Sequence, residues 1–220
     1  MNGYLVPDWP APKNIQAYTV LRPSHHTLIL PSEPIWLNQV HTDHIVDALT
    51  GRNAKADASY TTQANIVCAV RTADCLPVLI TDKKGSVVAA VHAGWKSLCR
   101  NIIELTVEKL EKLEKFNINK ADLLFWLGPA ISGKYYEVGQ DVKDSFAEYP
   151  EGFEQIPDKP NKYLADLYKL ARSRLIKKLK IDPVNIYGGN FCTYSDPELF
   201  HSARRDKDLS GRMVSMIWRI

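Results

Sequence analysis

Three runs rich in Val, Ile, Leu and Ala follow one another closely at residues 66–70, 77–81 and 86–91, and none contains a charged side chain. Strands this continuously apolar belong inside a sheet, buried on both faces. Between the second and third runs, Asp82-Lys83-Lys84-Gly85 supplies turn residues, so these two runs are expected to form a hairpin. Any fold for this chain has to be built around that hairpin.

The remaining segments fit around it. Residues 17–21, 27–30 and 34–40 read as shorter strands broken by Pro23, Pro31 and Pro34. A helix opens at Gly94, with Leu98, Ile102, Ile103, Leu105, Leu110 and Leu113 on one face. A strand at 123–127 runs into Gly128-Pro129, which breaks regular structure. Residues 141–149 read as a short helix, 163–179 as a longer one, and 184–187 and 213–218 as strands. The stretch 150–162 is the most loop-like and reads as an exposed excursion. The basic residues between Lys169 and Lys180 read as the solvated face of the longer helix. The expectation is an α/β (mixed α+β) fold: one compact domain over residues 1–220, with a mixed central sheet and flanking helices.

Composition narrows the function classes. With 28 basic and 25 acidic side chains the formal charge is +3, too small a surplus to imply a nucleic-acid partner. The N-terminus has no basic stretch followed by an apolar one, and no apolar run approaches the roughly 18–20 residues that span a bilayer. Cys68, Cys75, Cys99 and Cys192 are too few and too scattered for a disulfide scaffold, so a reducing, cytoplasmic setting is expected. Free thiols can then serve as ligands or nucleophiles. The partners expected are small molecules, and a chain of this size can work as a monomer or homodimer.

Two of the six histidines stand where chemistry is easy to assemble. His41 ends Asn38-Gln39-Val40-His41, and His92 ends an apolar strand and is followed by Ala93-Gly94-Trp95. Cys75 lies between two strands in Thr72-Ala73-Asp74-Cys75-Leu76-Pro77. A sheet can converge side chains from such strand ends on one point. Imidazole and thiolate suit zinc, and catalytic zinc sites keep three protein ligands and an open fourth position. The spacing of the three residues is not that of a zinc finger, and any one of them alone would read as a packed structural residue.

The motifs go further. Asn38-Gln39-Val40-His41, Ala73-Asp74-Cys75-Leu76-Pro77, His92-Ala93-Gly94-Trp95-Lys96 and Leu127-Gly128-Pro129-Ala130-Ile131 closely resemble the bacterial YfiH family, also called the laccase-domain or multicopper polyphenol oxidase family. So do Tyr136-Glu137-Val138-Gly139, Cys192-Thr193, Ser202-Ala203-Arg204-Arg205-Asp206 and Gly211-Arg212, in the same order along the chain. The resemblance implies a catalytic metal, zinc or copper, on His41, Cys75 and His92. It also implies purine nucleoside chemistry: phosphorolysis of adenosine, inosine, guanosine and methylthioadenosine, and deamination of adenosine. Phosphorolysis needs an anion site, for which Arg204 and Arg205 are the first candidates and Arg71 the second.

Three other activities compete. A peptidoglycan-precursor editing hydrolase would use the same metal, or the Cys75 thiolate, on an amide. A copper-dependent polyphenol oxidase needs many paired histidines; this chain has six and no His-x-His pair. A non-enzymatic metal-binding partner would close the ion with a fourth ligand, for which His44 or Cys192 would be required. Among the remaining residues, Asp74 either orients a ligand histidine or caps a turn, Asp57 reads as a turn residue in preference to a pocket-lining one, and Gly94 and Gly128 read as close backbone passages near the site. Trp95 and Cys68 read as core, and His25 and His26 as loop.

Overall fold

A computed structural model describes residues 3–22 and 28–220. Its strands are β1 (Tyr4–Leu5), β2 (Ile15–Val20), β3 (Ile45–Asp47), β4 (Ala58–Thr61), β5 (Cys68–Thr72), β6 (Leu76–Asp82), β7 (Val88–Ala93), β8 (Leu123–Leu127), β9 (Glu137–Gly139), β10 (Phe153–Gln155), β11 (Lys162–Ala165), β12 (Ile186–Gly188) and β13 (Met213–Arg219). The α-helices are α1 (Trp95–Cys99), α2 (Ile102–Glu111), α3 (Gln140–Asp144), α4 (Leu167–Ser173) and α5 (Ala203–Asp206).

The β6–β7 hairpin is the spine of a six-stranded sheet ordered β12-β8-β6-β7-β4-β3, parallel at its two outer pairs and antiparallel inside. Its turn depends on Gly85, whose φ is +65° and where an added Cβ would collide with the Asn14 side chain. Alternate residues of the hairpin serve two cores. Val78, Ile80, Ala89 and Val91 pack toward α2 and α4, while Leu79, Val88 and Ala90 pack against Ile15, Cys68, Val70 and Ile217 of a second sheet. That four-stranded sheet, β1-β2-β13-β5, is antiparallel throughout. Burial on both faces is why the hairpin carries no polar alternation. The chain is thus a compact mixed α/β domain of several sheets and helices. No helix among the described residues is long and apolar enough to cross a membrane.

Several expectations change. Residues 34–40 make no strand; their backbone pairing is limited to the isolated bridges Ile35↔Cys68 and Asn38↔Lys55. Of 27–30, Thr27 lies outside the described residues, with His25 and His26, and residues 28–30 are irregular. The helix opening after Gly94 is broken at Asn101, which takes the left-handed conformation (φ 67°) that Asn tolerates. The supposed excursion at 150–162 contains β10 and runs into β11, and these join β9 in a small antiparallel sheet ordered β10-β11-β9. The helix expected from 163 therefore starts only at Leu167, where the Asp166 side chain caps it by accepting from the Lys169 amide at 3.0 Å. The helix expected at 141–149 is the single turn of α3.

The basic stretch 169–180 is also more than a solvated face. Arg174 is buried, with its Nε 2.7 Å from Glu104 Oε1. Arg172 donates to the carbonyls of Ile186 and Gly188 at 3.1 and 2.7 Å and so ties α4 to β12.

Candidate metal centre

His41, Cys75 and His92 arrive at one point from three elements: the irregular segment before β3, the turn into β6, and the end of β7. Their ligand atoms all lie within 4.8 Å of one another, with Cys75 Sγ 3.8 Å from His41 Nε2. The two imidazole rings meet edge to face at 4.8 Å between centroids. Gly94 makes the approach possible: a Cβ there would stand 2.9 Å from His41 Cδ2 and 3.0 Å from Cys75 Sγ. A glycine at this point of the His-Ala-Gly-Trp motif is thus a requirement of the site. Gly128, by contrast, makes room for Trp126 and Pro77 within the core.

The organising residue is Asp57, fully buried, whose carboxylate accepts from His92 Nδ1 at 2.7 Å. It also accepts from the amides of Val40, His41 and Thr42 at 3.3, 3.1 and 2.6 Å, and from the Thr42 hydroxyl at 2.9 Å. One carboxylate thereby fixes the backbone that carries one candidate ligand and the ring of another. It leaves Nε2 as the free nitrogen of His92, the arrangement by which a carboxylate orients a ligand imidazole. Orienting a candidate ligand histidine, one of the two roles the sequence suggests for Asp74, falls to Asp57. Asp74 instead accepts from Thr193 Oγ1, Ser202 Oγ and the Arg204 amide at 2.6, 3.0 and 2.6 Å.

A second clamp acts on the same segment. The Gln39 amide bonds both ways with the Arg71 backbone, accepting from its N–H and donating to its carbonyl, each at 2.8 Å. The irregular backbone at 34–40 is held to β5 in this way, two residues before His41.

Burial and charge set the protonation of the group. Burial opposes ionisation of Asp57, but the bonds from His92 and Thr42 outweigh it and hold the carboxyl at about 2. Burial likewise works against a Cys75 thiolate, and the hydrogen bonds and charges of His41 and His92 overcome it, bringing the thiol down to about 6. His92 would lose its proton through burial, yet Asp57 and Cys75 raise it to about 9. Cys68, buried in the sheet, is pushed up to about 12 and is inert. Two imidazole nitrogens and a readily formed thiolate make a donor set that suits zinc or copper.

No fourth ligand joins them among the described residues. His44 is exposed and faces the Lys55 carbonyl at 3.4 Å over a different groove, and Cys192 sits against Ser132 and Ser195. The cluster opens instead onto a cleft of about 580 Å³ lined also by Asn38, Gln39, Arg71, Thr72, Ser210 and Arg212. Arg71, expected as the second anion candidate, is therefore present. Arg204 and Arg205 do not line the cleft. The Arg205 guanidinium is consumed internally, by Asp206 at 2.7 and 2.8 Å and by the carbonyls of Thr193, Tyr194 and Phe200. Arg204 lies over the Tyr136 ring and donates to the Glu137 carbonyl. Trp95 is half-buried at the start of α1 against the core.

A mixed α/β domain with a three-donor cluster at the floor of an open cleft defines a class of protein with a candidate metal centre beside a space for a second ligand. The chain belongs to the YfiH family: residues 17–220 match the family described as multi-copper polyphenol oxidoreductase laccase. Purine nucleoside phosphorylase YfiH of Escherichia coli is 40% identical, the match covering all of both chains. A purine nucleoside phosphorylase of Haemophilus influenzae is 38% identical over 96% of this chain and 97% of its own. Among solved structures, Neisseria meningitidis protein NMB0706 superposes with a TM-score of 0.87 at 34% identity, over 99% of each chain.

Proposed function

We propose that the chain is a zinc-dependent purine nucleoside phosphorylase that also deaminates adenosine, working on small molecules at His41, Cys75 and His92. The observation that carries this reading is the convergence of these three side chains on the floor of a cleft of about 580 Å³, large enough for a nucleoside. Relatives named purine nucleoside phosphorylase along their full length supply the substrate class.

When bound, the ion supplies a Lewis acid and a water of lowered pKa. Cys75 and the free nitrogens of His41 and His92 would hold it, and Asp57 keeps His92 in the required tautomer. In phosphorolysis a phosphate oxygen bonds to C1′, the C1′–N9 bond breaks, and its electron pair leaves with the purine, which takes up a proton. In deamination water adds at C6 of adenine and ammonia leaves. The same donor set would take up copper, but six histidines without a His-x-His pair do not furnish a multicopper oxidase.

One observation favours a second reading. Cys75, His92 and Asp57 form a thiol–imidazole–carboxylate series, with Asp57 2.7 Å from His92 Nδ1. Such a series can attack an amide without an ion, as the editing of a peptidoglycan precursor would require.

The test is turnover of adenosine by zinc-loaded protein with and without phosphate, following adenine, inosine and hypoxanthine by chromatography. Phosphate-dependent adenine and phosphate-independent inosine are expected, both abolished in Cys75→Ala. Absence of turnover with adenosine, inosine, guanosine and methylthioadenosine, zinc being confirmed in place, would overturn the reading in favour of amide hydrolysis.

A further inference from the structure

The wall of the cleft holds two guanidinium groups without a carboxylate partner. Arg71 is exposed at the end of β5, and its side chain makes only a long 3.4 Å contact to the Leu37 carbonyl and a stacking contact with Trp36 at 5.2 Å. Arg212, also exposed, donates through Nη1 alone, to the carbonyls of Ser210 and Gly211 at 2.9 and 2.8 Å. Neither has a carboxylate within 4.0 Å among the described residues, and of the arginines in that condition, which include Arg100, Arg172, Arg204 and Arg219, these two are the ones that line the cleft.

The sheet brings the two together. β5 and β13 are antiparallel neighbours in which Val214 faces Arg71 and Met213 faces Thr72. Extending that register by one step sets Arg212 diagonally across from Arg71, on the same side of the ladder and within reach of long side chains. Like charges so placed repel. The residues lining the cleft include no carboxylate to offset them.

We propose that Arg71 and Arg212 form a two-armed subsite for a tetrahedral oxyanion of the inorganic phosphate class, beside the His41–Cys75–His92 cluster. The choice of phosphate rests on the phosphorylase reading; the subsite itself rests on the unpaired arginines. Guanidinium forks suit phosphate because each presents paired N–H donors, and the free Nε and Nη groups of both residues remain available for this. Arg212 then takes the role that Arg204 and Arg205 suggest from sequence.

The probe is inorganic phosphate titrated into zinc-loaded protein, followed by calorimetry and by phosphorus NMR line width. Wild type is compared with Arg71→Gln, Arg212→Gln and Arg204→Gln, with thermal unfolding as a check on folding. Loss of one charge-assisted arm weakens phosphate binding roughly tenfold to a hundredfold in Arg71→Gln and Arg212→Gln. Arg204→Gln is expected to bind like wild type. Unchanged phosphate affinity in both cleft variants, or a loss confined to Arg204→Gln, overturns the subsite. Arginine-dependent phosphate binding without nucleoside turnover leaves the subsite standing and removes the phosphorylase reading. Turnover whose phosphate KM ignores both arginines does the reverse.

Discussion

Two buried aspartates organise this molecule, and they do different work. Asp57 and Asp74 both gather hydrogen bonds from segments far apart in sequence, and both lie close to the cleft. The partners of Asp57 include the His92 imidazole, which can change charge, and the backbone that presents His41. The partners of Asp74 are two hydroxyls and the Arg204 amide, which cannot. Asp57 can therefore govern metal affinity, whereas Asp74 governs how the turn before Cys75 is fastened to α5 and to Thr193. The number of bonds that a buried carboxylate accepts does not reveal which of these roles it has; the chemistry of its donors does.

The largest effect that sharpens this contrast lies at the ligand itself. Cys75→Ala removes the only thiolate of the set and is expected to lower zinc affinity roughly a thousandfold or more, abolishing turnover. Competition with a chromophoric chelator measures the first. Thermal unfolding of the metal-stripped variant should stay within a few degrees of the stripped wild type, because Cys75 is not fully buried. A variant that binds zinc like wild type would remove Cys75 from the site.

Asp74→Ala comes next, and its effect should fall on stability. Thr193 and Ser202 are fully buried, so two hydroxyls and an amide lose their acceptor together. A loss of about 3 kcal/mol in urea unfolding is expected, with zinc affinity unchanged in the folded protein. Zinc affinity that falls with Asp74 would erase the distinction between the two centres.

The same contrast shows what could be read in advance. The hairpin was legible because strands buried on both faces need uninterrupted apolar runs, and the convergence of His41, Cys75 and His92 was legible because each lies in a specific motif, Cys75 and His92 beside real strand ends and His41 beside an expected strand that does not form. The strands β3, β4, β9, β10 and β11 were not, since pairings of three or four residues leave too little periodicity to detect. The role of Asp57 was hidden for another reason: its partners lie 15 to 35 positions away, and only folding reveals that it serves two candidate ligands at once. Arg205 and Arg212 look alike as motif arginines. The one local clue was Asp206 beside Arg205, a ready internal partner, against Gly211 beside Arg212, which offers none.

The smallest effect is also the most discriminating. Asp57→Asn keeps an acceptor near His92 but loses the charge, and zinc affinity should fall roughly tenfold to a hundredfold, as for other carboxylates behind ligand imidazoles. Protein stripped of metal exposes the same coupling through pH. The Asp57 carboxyl sits at about 2 when folded against 3.8 ordinarily, so its stabilisation is full above 3.8 and is lost as pH falls toward 2. His92 sits at about 9 against 6.5, so its stabilisation is full below 6.5 and is lost as pH rises through 9. The Cys75 thiol, at about 6 against 9.0 ordinarily, has the opposite sense, its stabilisation being full above 9 and lost as pH falls through 6. Stripped Cys75→Ala, which lacks that opposing contribution, should therefore be most stable between about pH 4 and 6.5, declining on both sides, and adding Asp57→Asn should flatten both limbs together. If the alkaline limb survives Asp57→Asn in stripped protein, Asp57 does not set the charge of His92, and its role shrinks to fastening the backbone at residues 40–42.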